Sequence, residues 1–255
     1  MPCRYSSGVR GSPLRADPAQ GTGGALSDIF ELESNWNLEV ISGEVDGRKS
    51  EMPSIGKSHT DGAVISNSPE EFLKLAGPGK HLILFYENSD HARRIEFAFI
   101  DAGLRTGESA LYASSKDDSR KIMDGMKAFG INVDHYVKSG LLRVLEVPDP
   151  ALNPEGALHG FKEFLTVERG SVTGPLRQVT RLFDPSTEAE ANSIMEIERL
   201  VSTSLRGTQD SVLCSFRMKG ELHPSFGAWF MEMIKDHHGA LFVPASSEGV
   251  AFSVK

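Results

Sequence analysis

From about residue 68 to the end of the chain, short apolar runs alternate with segments whose apolar residues recur at helical spacing. His81–Tyr86 (HLILFY) is apolar almost throughout, as expected of a strand buried on both faces of a sheet. In the next segment, Ile95, Ala98, Phe99 and Ala102 are spaced i, i+3, i+4 and i+7, which is typical of an amphipathic helix. This alternation predicts an α/β domain with a mostly parallel sheet, helices on both faces and therefore three layers.

Local signals place the other elements. Ser68 is the predicted N-cap of a short first helix, which Gly77-Pro78-Gly79 ends. Ser115 and Asp118 are predicted as a capping pair for a later helix. Strands are also predicted at 109–113, 141–147, 178–183 and 211–216. Further helices are predicted at 188–206 and 224–237, one more is predicted to end at Gly130, and another is predicted to start at Pro154. Residues 240–244 and 249–254 are predicted to form a closing hairpin at a sheet edge.

The first 65 residues differ in composition from the rest of the chain. They are rich in Gly, Ser, Pro and charge, and they predict a largely disordered extension, with residues 66–255 as the folded domain. Residues 25–42 are an exception, a short apolar segment that packs on the main domain or binds a partner. Residues 43–66 are interpreted as a linker.

Composition excludes several classes of protein. The net charge of -8 argues against direct nucleic-acid binding, because the phosphate backbone requires a basic face. The chain has only two cysteines, Cys3 and Cys214, which is typical of a reducing cytoplasm rather than of a disulfide framework. No apolar run is long enough to span a membrane, and no signal peptide is recognised at the N-terminus, so a cytoplasmic location is expected.

The segment from Gly79 to Tyr112 resembles the KaiC and RecA-like ATPases in its order of parts. In these proteins a buried strand is followed by a phosphate loop, a helix, a GL-x-x-GE turn and a second strand, and here Gly103-Leu104 and Gly107-Glu108 form the turn. A phosphate loop needs GxxxxGK[ST] between strand and helix. Residues 86–91 (YENSDH) contain neither glycine nor lysine, and Gly77-Pro78-Gly79-Lys80 lies before the strand instead of after it. ATP hydrolysis is therefore not expected.

This altered pattern, His-x-x-x-Phe-Tyr-Glu on the first strand, resembles the MEDS family of sensory domains. His81, Phe85, Tyr86 and Glu87 carry the resemblance, and the turn and the strand that bears Cys214 support it over roughly residues 80–254. The resemblance implies a KaiC-related fold, reception of a signal that includes small organic molecules, and attachment to transcription factors or kinases. The chain has no recognisable kinase or helix-turn-helix, so the expected output is through a protein partner.

Ligands of parallel sheets bind beyond the carboxyl ends of the strands, which directs attention to residues 86–91, 113–118, 147–153, 184–188 and 216–221. Tyr86 and Glu87 leave the first strand there and are candidates to line a small-molecule pocket, although Glu87, Ser89 or Asp90 equally fits a helix cap. The predicted ligand-binding set is Tyr86, Glu87, His91, Asp184, Arg217 and His81.

Several of these residues also have structural interpretations. His81 lies at the amino end of its strand, where a structural hydrogen bond is the alternative, and Asp184 also fits a turn cap beside Pro185. Cys214 is interpreted as a small apolar core residue, with redox sensing as the alternative. His237 and His238 are expected to cap the last helix, since positive charge is favourable at a helix C-terminus. No histidine spacing indicates a metal site, no Ser-His-Asp grouping is evident, and no cofactor is predicted.

Three functions remain open from the sequence. The first is a non-enzymatic sensor that binds a small molecule at the carboxyl edge of the sheet and signals to a regulatory partner, a kinase or a transcription factor. The second is a nucleotide-binding protein or enzyme with an unusual loop. The third is an adaptor that retains only an assembly surface of its ring-forming relatives, which leaves a homo-oligomer open.

Overall fold

The computed structural model describes residues 65–66, 68–115, 117–147, 154–181, 187–218, 224–245 and 249–254. The strands are β1 Ile65–Ser66, β2 His81–Tyr86, β3 Ser109–Ser114, β4 Leu142–Glu146, β5 Leu176–Arg181, β6 Ser211–Arg217, β7 Gly239–Val243 and β8 Val250–Ser253. The helices are α1 Pro69–Leu75, α2 Ser89–Arg105, α3 Ser119–Phe129, α4 Val133–Lys138, α5 Pro154–Gly170, α6 Glu188–Ser204 and α7 Pro224–Lys235. The predicted disordered extension and its apolar segment at 25–42 lie outside the described residues.

The eight strands form one sheet in the order β1-β8-β7-β2-β6-β5-β3-β4. Strands β2 to β7 are parallel to one another, and β8 pairs antiparallel with both β7 and β1. Strand β2 lies in the interior, where all six of its residues are buried between β7 and β6. The predicted mostly parallel α/β sheet is confirmed.

Helices cover both faces of this sheet. Apolar residues of α1 to α4, such as Phe72, Ile95 and Met126, form one core with the alternate strand residues Leu84 and Leu213. Residues of α5 to α7 form the second core against the other face, on which Phe85, Phe216 and Phe230 pack closely. Helices, sheet and helices therefore make up the three layers that the sequence predicts.

The structure departs from the sequence predictions in three places. Ile65 and Ser66 belong to β1, which pairs with β8, so the predicted linker ends before them and β1 lies outside the predicted closing hairpin. Helix α4 was not predicted, because its six residues (VDHYVK) are too short to show a helical period. Strand β5 begins two residues earlier than the predicted 178–183, at Leu176.

Caps set the starts of the helices. Ser68 accepts a hydrogen bond from Glu71 N, and Thr187 forms a reciprocal capping box with Glu190. Asp118 caps α3 by accepting from Arg120 N, whereas Ser115, its predicted partner, takes no part. Gly130 ends α3 with a φ of 108°, which glycine adopts without a Cβ clash.

The GL-x-x-GE turn clamps α2 to β5. A Cβ on Gly103 would lie 2.8 Å from Cδ of Arg177, so only glycine lets that side chain cross the helix. Arg177 then donates two hydrogen bonds to Glu108, from Nε at 2.9 Å and from Nη2 at 3.0 Å. The turn that marks the sequence resemblance therefore has a structural role. No described helix is long and apolar enough to cross a membrane.

Candidate functional site

The connection between β2 and α2 is only two residues long, because the strand ends at Tyr86 and the helix begins at Ser89. Asn88 is the N-cap, and its side-chain oxygen accepts from Asp90 N at 3.1 Å and His91 N at 3.0 Å. These are the amides that a phosphate would use at a helix N-terminus. The cap is thus Asn88 and not Glu87, Ser89 or Asp90 as the sequence indicated.

The neighbours of Asn88 are also held by protein contacts. Oε2 of Glu87 accepts a hydrogen bond of 2.9 Å from Ala245 N, just beyond β7. Nε2 of His91 lies 3.6 Å from Oε1 of Glu70 on α1. Of the predicted residues, Glu87 therefore links the β2–α2 connection to the segment just beyond β7, and His91 links the first turn of α2 to α1.

Tyr86 and Arg217 lie side by side at the carboxyl edge, where the register pairs them across β2 and β6. The Tyr86 ring is buried, and the guanidinium carbon of Arg181 lies 4.7 Å from its centroid. Arg217 is exposed at the end of β6. Asp184, the remaining predicted residue at this edge, lies outside the described residues.

A buried ionic network extends from Arg181 beneath α2. Its Nη1 lies 3.2 Å from Oε2 of Glu96, and the Tyr112 hydroxyl donates to the same oxygen at 2.6 Å. Nε of Arg181 lies 3.6 Å from Oδ2 of Asp117, which also pairs with Arg93. Three elements, α2, β3 and β5, thus contribute to one network that reaches the edge of the sheet.

Burial and charge together set the protonation of two groups in this network. Burial alone lowers the pKa of Arg181, but the nearby groups Glu96, Tyr112, Tyr86 and Asp117 together outweigh it and raise the pKa, so the guanidinium stays charged. Burial and then the Glu96 charge hold the pKa of Tyr112 well above its ordinary value, so its hydroxyl stays protonated as a donor.

Sequence reasoning missed Glu96, Arg181 and Tyr112. The signal was present, since Glu96 lies on the apolar stripe of α2 next to Ile95, where a carboxylate must find a buried partner. Near the same edge, the buried hydroxyls of Ser115 and Ser215 have no hydrogen-bond partner among the described residues.

His81 lies apart from the other predicted residues, at the amino end of β2 and on the opposite face of the sheet. There it meets Glu198 of α6, Cys214 of β6 and His237, which follows α7. His81 Nε2 lies 3.0 Å from Glu198 Oε2 and 3.5 Å from Cys214 Sγ, and His237 Nε2 lies 3.3 Å from the same Glu198 oxygen. The structure therefore divides the predicted set between two places.

Electrostatics in this second cluster follow from its burial. Burial alone raises the pKa of Glu198, but His237 and His81 outweigh it and lower the value to about 2. Burial, followed by His237, lowers the pKa of His81. Burial, together with the Glu198 charge, raises the pKa of the Cys214 thiol.

Hydrogen bonds fix both imidazoles from outside the cluster. Nδ1 of His237 bonds the carbonyl of Met233 in the last turn of α7, in agreement with its predicted capping role. Nδ1 of His81 lies 2.9 Å from the Ser202 hydroxyl. His238 holds the backbone of His81, since His81 N donates to His238 Nδ1 at 3.0 Å and His238 N donates to His81 O at 2.7 Å.

A cavity of about 160 Å³ lies between α5, α6 and the starts of β5 and β6. Its lining includes Arg169, Gln178, Leu205 and Asp210, and none of the six predicted ligand-binding residues. At the carboxyl edge, the side chains of Glu87 and Asn88 in the β2–α2 connection accept hydrogen bonds from backbone amides.

The fold defines a three-layer α/β domain with a mostly parallel sheet, and the capped two-residue β2–α2 connection distinguishes it from domains that carry a phosphate loop there. A family model matches residues 80–220, more than half of the chain, and its description is the methanogen/methylotroph DcmR sensory domain. The chain belongs to this family, MEDS, as the sequence predicted, although the match ends earlier than the expected residue 254.

Comparison with solved structures finds similarity to a KaiC-like protein from the hyperthermophilic archaeon Pyrococcus horikoshii. The identity is 15%, the TM-score is 0.45, and the similarity covers 66% of this chain and 72% of that one. No curated protein sequence matches the chain.

Proposed function

We propose that this domain senses a small organic molecule at the carboxyl edge of its sheet and does so without catalysis. The observation that carries the proposal is the Arg181 network, which brings a buried guanidinium against the Tyr86 ring at that edge. The guanidinium lies over the ring and both side chains are buried, so a ligand with a short carbon part and an anionic or hydrogen-bond-accepting group reaches them by moving the side chains that cover this edge.

An unpaired hydrogen-bond donor favours such a ligand. Arg93, Arg181 and Arg217 bring three positive charges to this edge, and Glu87, Glu96 and Asp117 bring three negative charges, so the preference does not come from net charge. Nε of Arg93 is buried and has no hydrogen-bond partner among the described residues. This N–H can donate a hydrogen bond to a carboxylate or a carbonyl oxygen of the ligand.

Nucleotide binding, the alternative, has less support. A phosphate loop supplies several backbone amides to the phosphates, but here the connection has two residues and Asn88 already occupies the amides of Asp90 and His91. The acidic side chain of Glu87 in the same connection disfavours phosphate further.

Signal output forms the second part of the proposal. Ligand binding on Arg93 and Arg181 acts on α2 through Glu96 and on the segment after β3 through Asp117. A regulatory protein, either a kinase or a transcription factor, reads the resulting change in the outer surface of these elements. Hydrogen exchange with and without ligand locates this change, and α2 and the residues around Asp117 are expected to gain protection.

The test is a thermal-shift screen of short-chain carboxylates, alcohols, aldehydes and amines, followed by calorimetric titration. A ligand at 100 times its Kd stabilises the fold by about 2.7 kcal/mol. The Arg93→Gln variant is expected to weaken binding at least tenfold. Arg120→Gln is the matched control, because Arg120 is exposed on α3 and pairs only with the cap Asp118 among the described residues.

Two results would count against the proposal. One is a screen in which no compound shifts the melting temperature of the wild type. The other is micromolar binding of Mg²⁺-ATP that Arg93→Gln leaves intact, which would establish the nucleotide alternative instead.

A further inference from the structure

Four side chains with metal-binding atoms meet inside the second core, near the amino end of β2 and the middle of β6. His81, Glu198, Cys214 and His237 are each no more than 1% exposed, and their donor atoms all lie within 4.8 Å of one another. We propose that these four residues bind a divalent transition metal, and that Zn²⁺ is the ion that fits them best.

The distances agree with tetrahedral zinc. Bond lengths of about 2.0–2.2 Å to nitrogen or oxygen and about 2.3 Å to sulfur place neighbouring N and O ligands about 3.4 Å apart, and N and S ligands about 3.6 Å apart. The observed separations are 3.0 and 3.3 Å for the two histidine nitrogens to Glu198 Oε2, and 3.5 Å for His81 Nε2 to Cys214 Sγ. These three separations therefore lie within about 0.4 Å of the tetrahedral values, and all the donor atoms lie within 4.8 Å of one another.

The hydrogen bonding of His237 turns two acceptors toward each other in the cluster. A carbonyl oxygen only accepts, so Nδ1 of His237 carries a proton and donates it to Met233 O. In the neutral ring, Nε2 then presents a lone pair toward Glu198 Oε2, another acceptor, 3.3 Å away. Nε2 of His237 and both carboxylate oxygens of Glu198 are buried without a hydrogen bond of ordinary geometry among the described residues. Two facing acceptors attract each other only through a proton or a cation.

The charge of the four ligands also matches a divalent ion. Glu198 as a carboxylate and Cys214 as a thiolate carry two negative charges, and two neutral imidazoles add none. A buried carboxylate without an ionised partner costs several kcal/mol, and Zn²⁺ removes that cost by making the cluster neutral. On binding, the Cys214 thiol loses its proton to solvent, because the thiolate is the metal ligand.

The surroundings of the cluster complete a metal site. Histidines that bind metals usually donate their other ring N–H to a carbonyl or another acceptor, and His237 does so to Met233 O. Nδ1 of His81 lies 2.9 Å from the Ser202 hydroxyl, whose own acceptor is the Asp236 carbonyl at 3.5 Å. Imidazole and thiolate ligands favour zinc over magnesium or calcium, which prefer oxygen.

A four-ligand site without an open position is structural in kind. Its ligands come from β2, β6, α6 and the turn between α7 and β7, so the ion joins two central strands to two helices of the same face. The proposal is independent of ligand binding at the carboxyl edge, because it uses other residues on the opposite face of the sheet.

The experiment uses the full chain, refolded in chelator and titrated with Co²⁺ and then with Zn²⁺. We expect one Co²⁺ per chain, a thiolate-to-cobalt charge-transfer band in the near ultraviolet, displacement by Zn²⁺ and a higher melting temperature with metal. Cys214→Ser removes the band and weakens metal binding by more than about 100-fold. That is the largest loss of metal affinity usually caused by changing a residue that only hydrogen-bonds to a ligand. Cys3→Ser, at the only other cysteine, leaves the band unchanged.

A second pair of variants guards against simple misfolding. Glu198→Gln keeps the shape of the side chain but loses the charge, and it is expected to lose metal binding while its far-ultraviolet circular dichroism matches that of the wild type. His135→Ala, at an exposed histidine of α4, retains full metal binding. Wild-type chain that takes up no more Co²⁺ than Cys214→Ser, or a cobalt spectrum without the thiolate band, would overturn the proposal and leave a proton shared between His237 and Glu198.

Discussion

Tyr112 donates a hydrogen bond of 2.6 Å to Oε2 of Glu96, and neither side chain is exposed to solvent. The pair joins the third strand in chain order, β3, to the long helix α2. Arg181 of β5 is the third member of the group, and its Nη1 lies 3.2 Å from the same oxygen. The carboxylate is therefore held between one neutral donor and one cation, and its removal affects both.

Replacing Glu96 by Gln is expected to destabilise the fold by about 3 kcal/mol, because it leaves the buried Arg181 guanidinium without its main counter-charge. Urea unfolding measures the change. Asp101→Asn on the same helix is the control, since Asp101 forms an i,i+4 pair with the exposed Arg105 and its loss costs less than about 0.5 kcal/mol. The double variant Glu96→Gln with Arg181→Met recovers at least half of the loss, and a purely additive result would show that the two charges do not depend on each other.

Stability is expected to fall above pH 10 more steeply in the wild type than in Tyr112→Phe. The pKa of Tyr112 is raised in the folded state by burial and then by Glu96. The unfolded chain therefore loses the phenolic proton at a lower pH than the folded chain, and alkali favours unfolding once the pH passes the ordinary value of about 10. Urea unfolding between pH 8 and 11 tests this, and equal slopes in the two proteins would exclude it.

Asn88→Ala is expected to cost about 1 kcal/mol, because two amides at the start of α2 lose their side-chain acceptor. Asn88→Asp keeps an oxygen at this position and adds a negative charge at the helix N-terminus, so it stays within about 0.5 kcal/mol of the wild type. Thermal unfolding of the three proteins provides the comparison. An alanine variant as stable as the wild type would mean that water satisfies these amides equally well.

Gly103→Ala is expected to destabilise the fold by about 1 kcal/mol. The new methyl group meets Arg177 at 2.8 Å, and the resulting overpacking of about 1–3 kcal/mol exceeds the gain of about 1 kcal/mol in helix propensity. Gly77→Ala is the matched control, because its Cβ would meet no atom within 4 Å among the described residues. Chemical denaturation separates the two, and equal stabilities would show that Arg177 moves aside at no cost.

Local patterns in the sequence were enough to predict most of the strands and helices. Strand β2 was predicted to the residue and α2 was recognised as a helix, since an apolar run and a clear helical period carry the information within a few neighbouring positions. Strand β1 was missed for the opposite reason. Its two residues, Ile65 and Ser66, are extended because they pair with Phe252 and Ala251, which are remote in the chain.

The two polar clusters depend on such remote contacts even more. Cys214 and His81 are 133 residues apart, and Arg181 and Glu96 are 85 residues apart. These pairings cannot be predicted from a single sequence. The sequence does show that Glu198 falls on the apolar stripe of α6, between Ile194 and Val201. A charged residue on such a stripe predicts a buried partner, but only the fold identifies that partner.

The two outer strands of the sheet limit how copies of this domain can associate. Strand β1 has two residues, and an incoming strand of ordinary length finds too few backbone groups there to form a ladder. At the other side, β4 carries Arg143, whose guanidinium pairs with Glu168 of α5, and the exposed Glu146 at its end. Short and charged borders of this kind protect a protein against edge-to-edge aggregation. Higher-order assembly of the domain is therefore expected to use its helical faces.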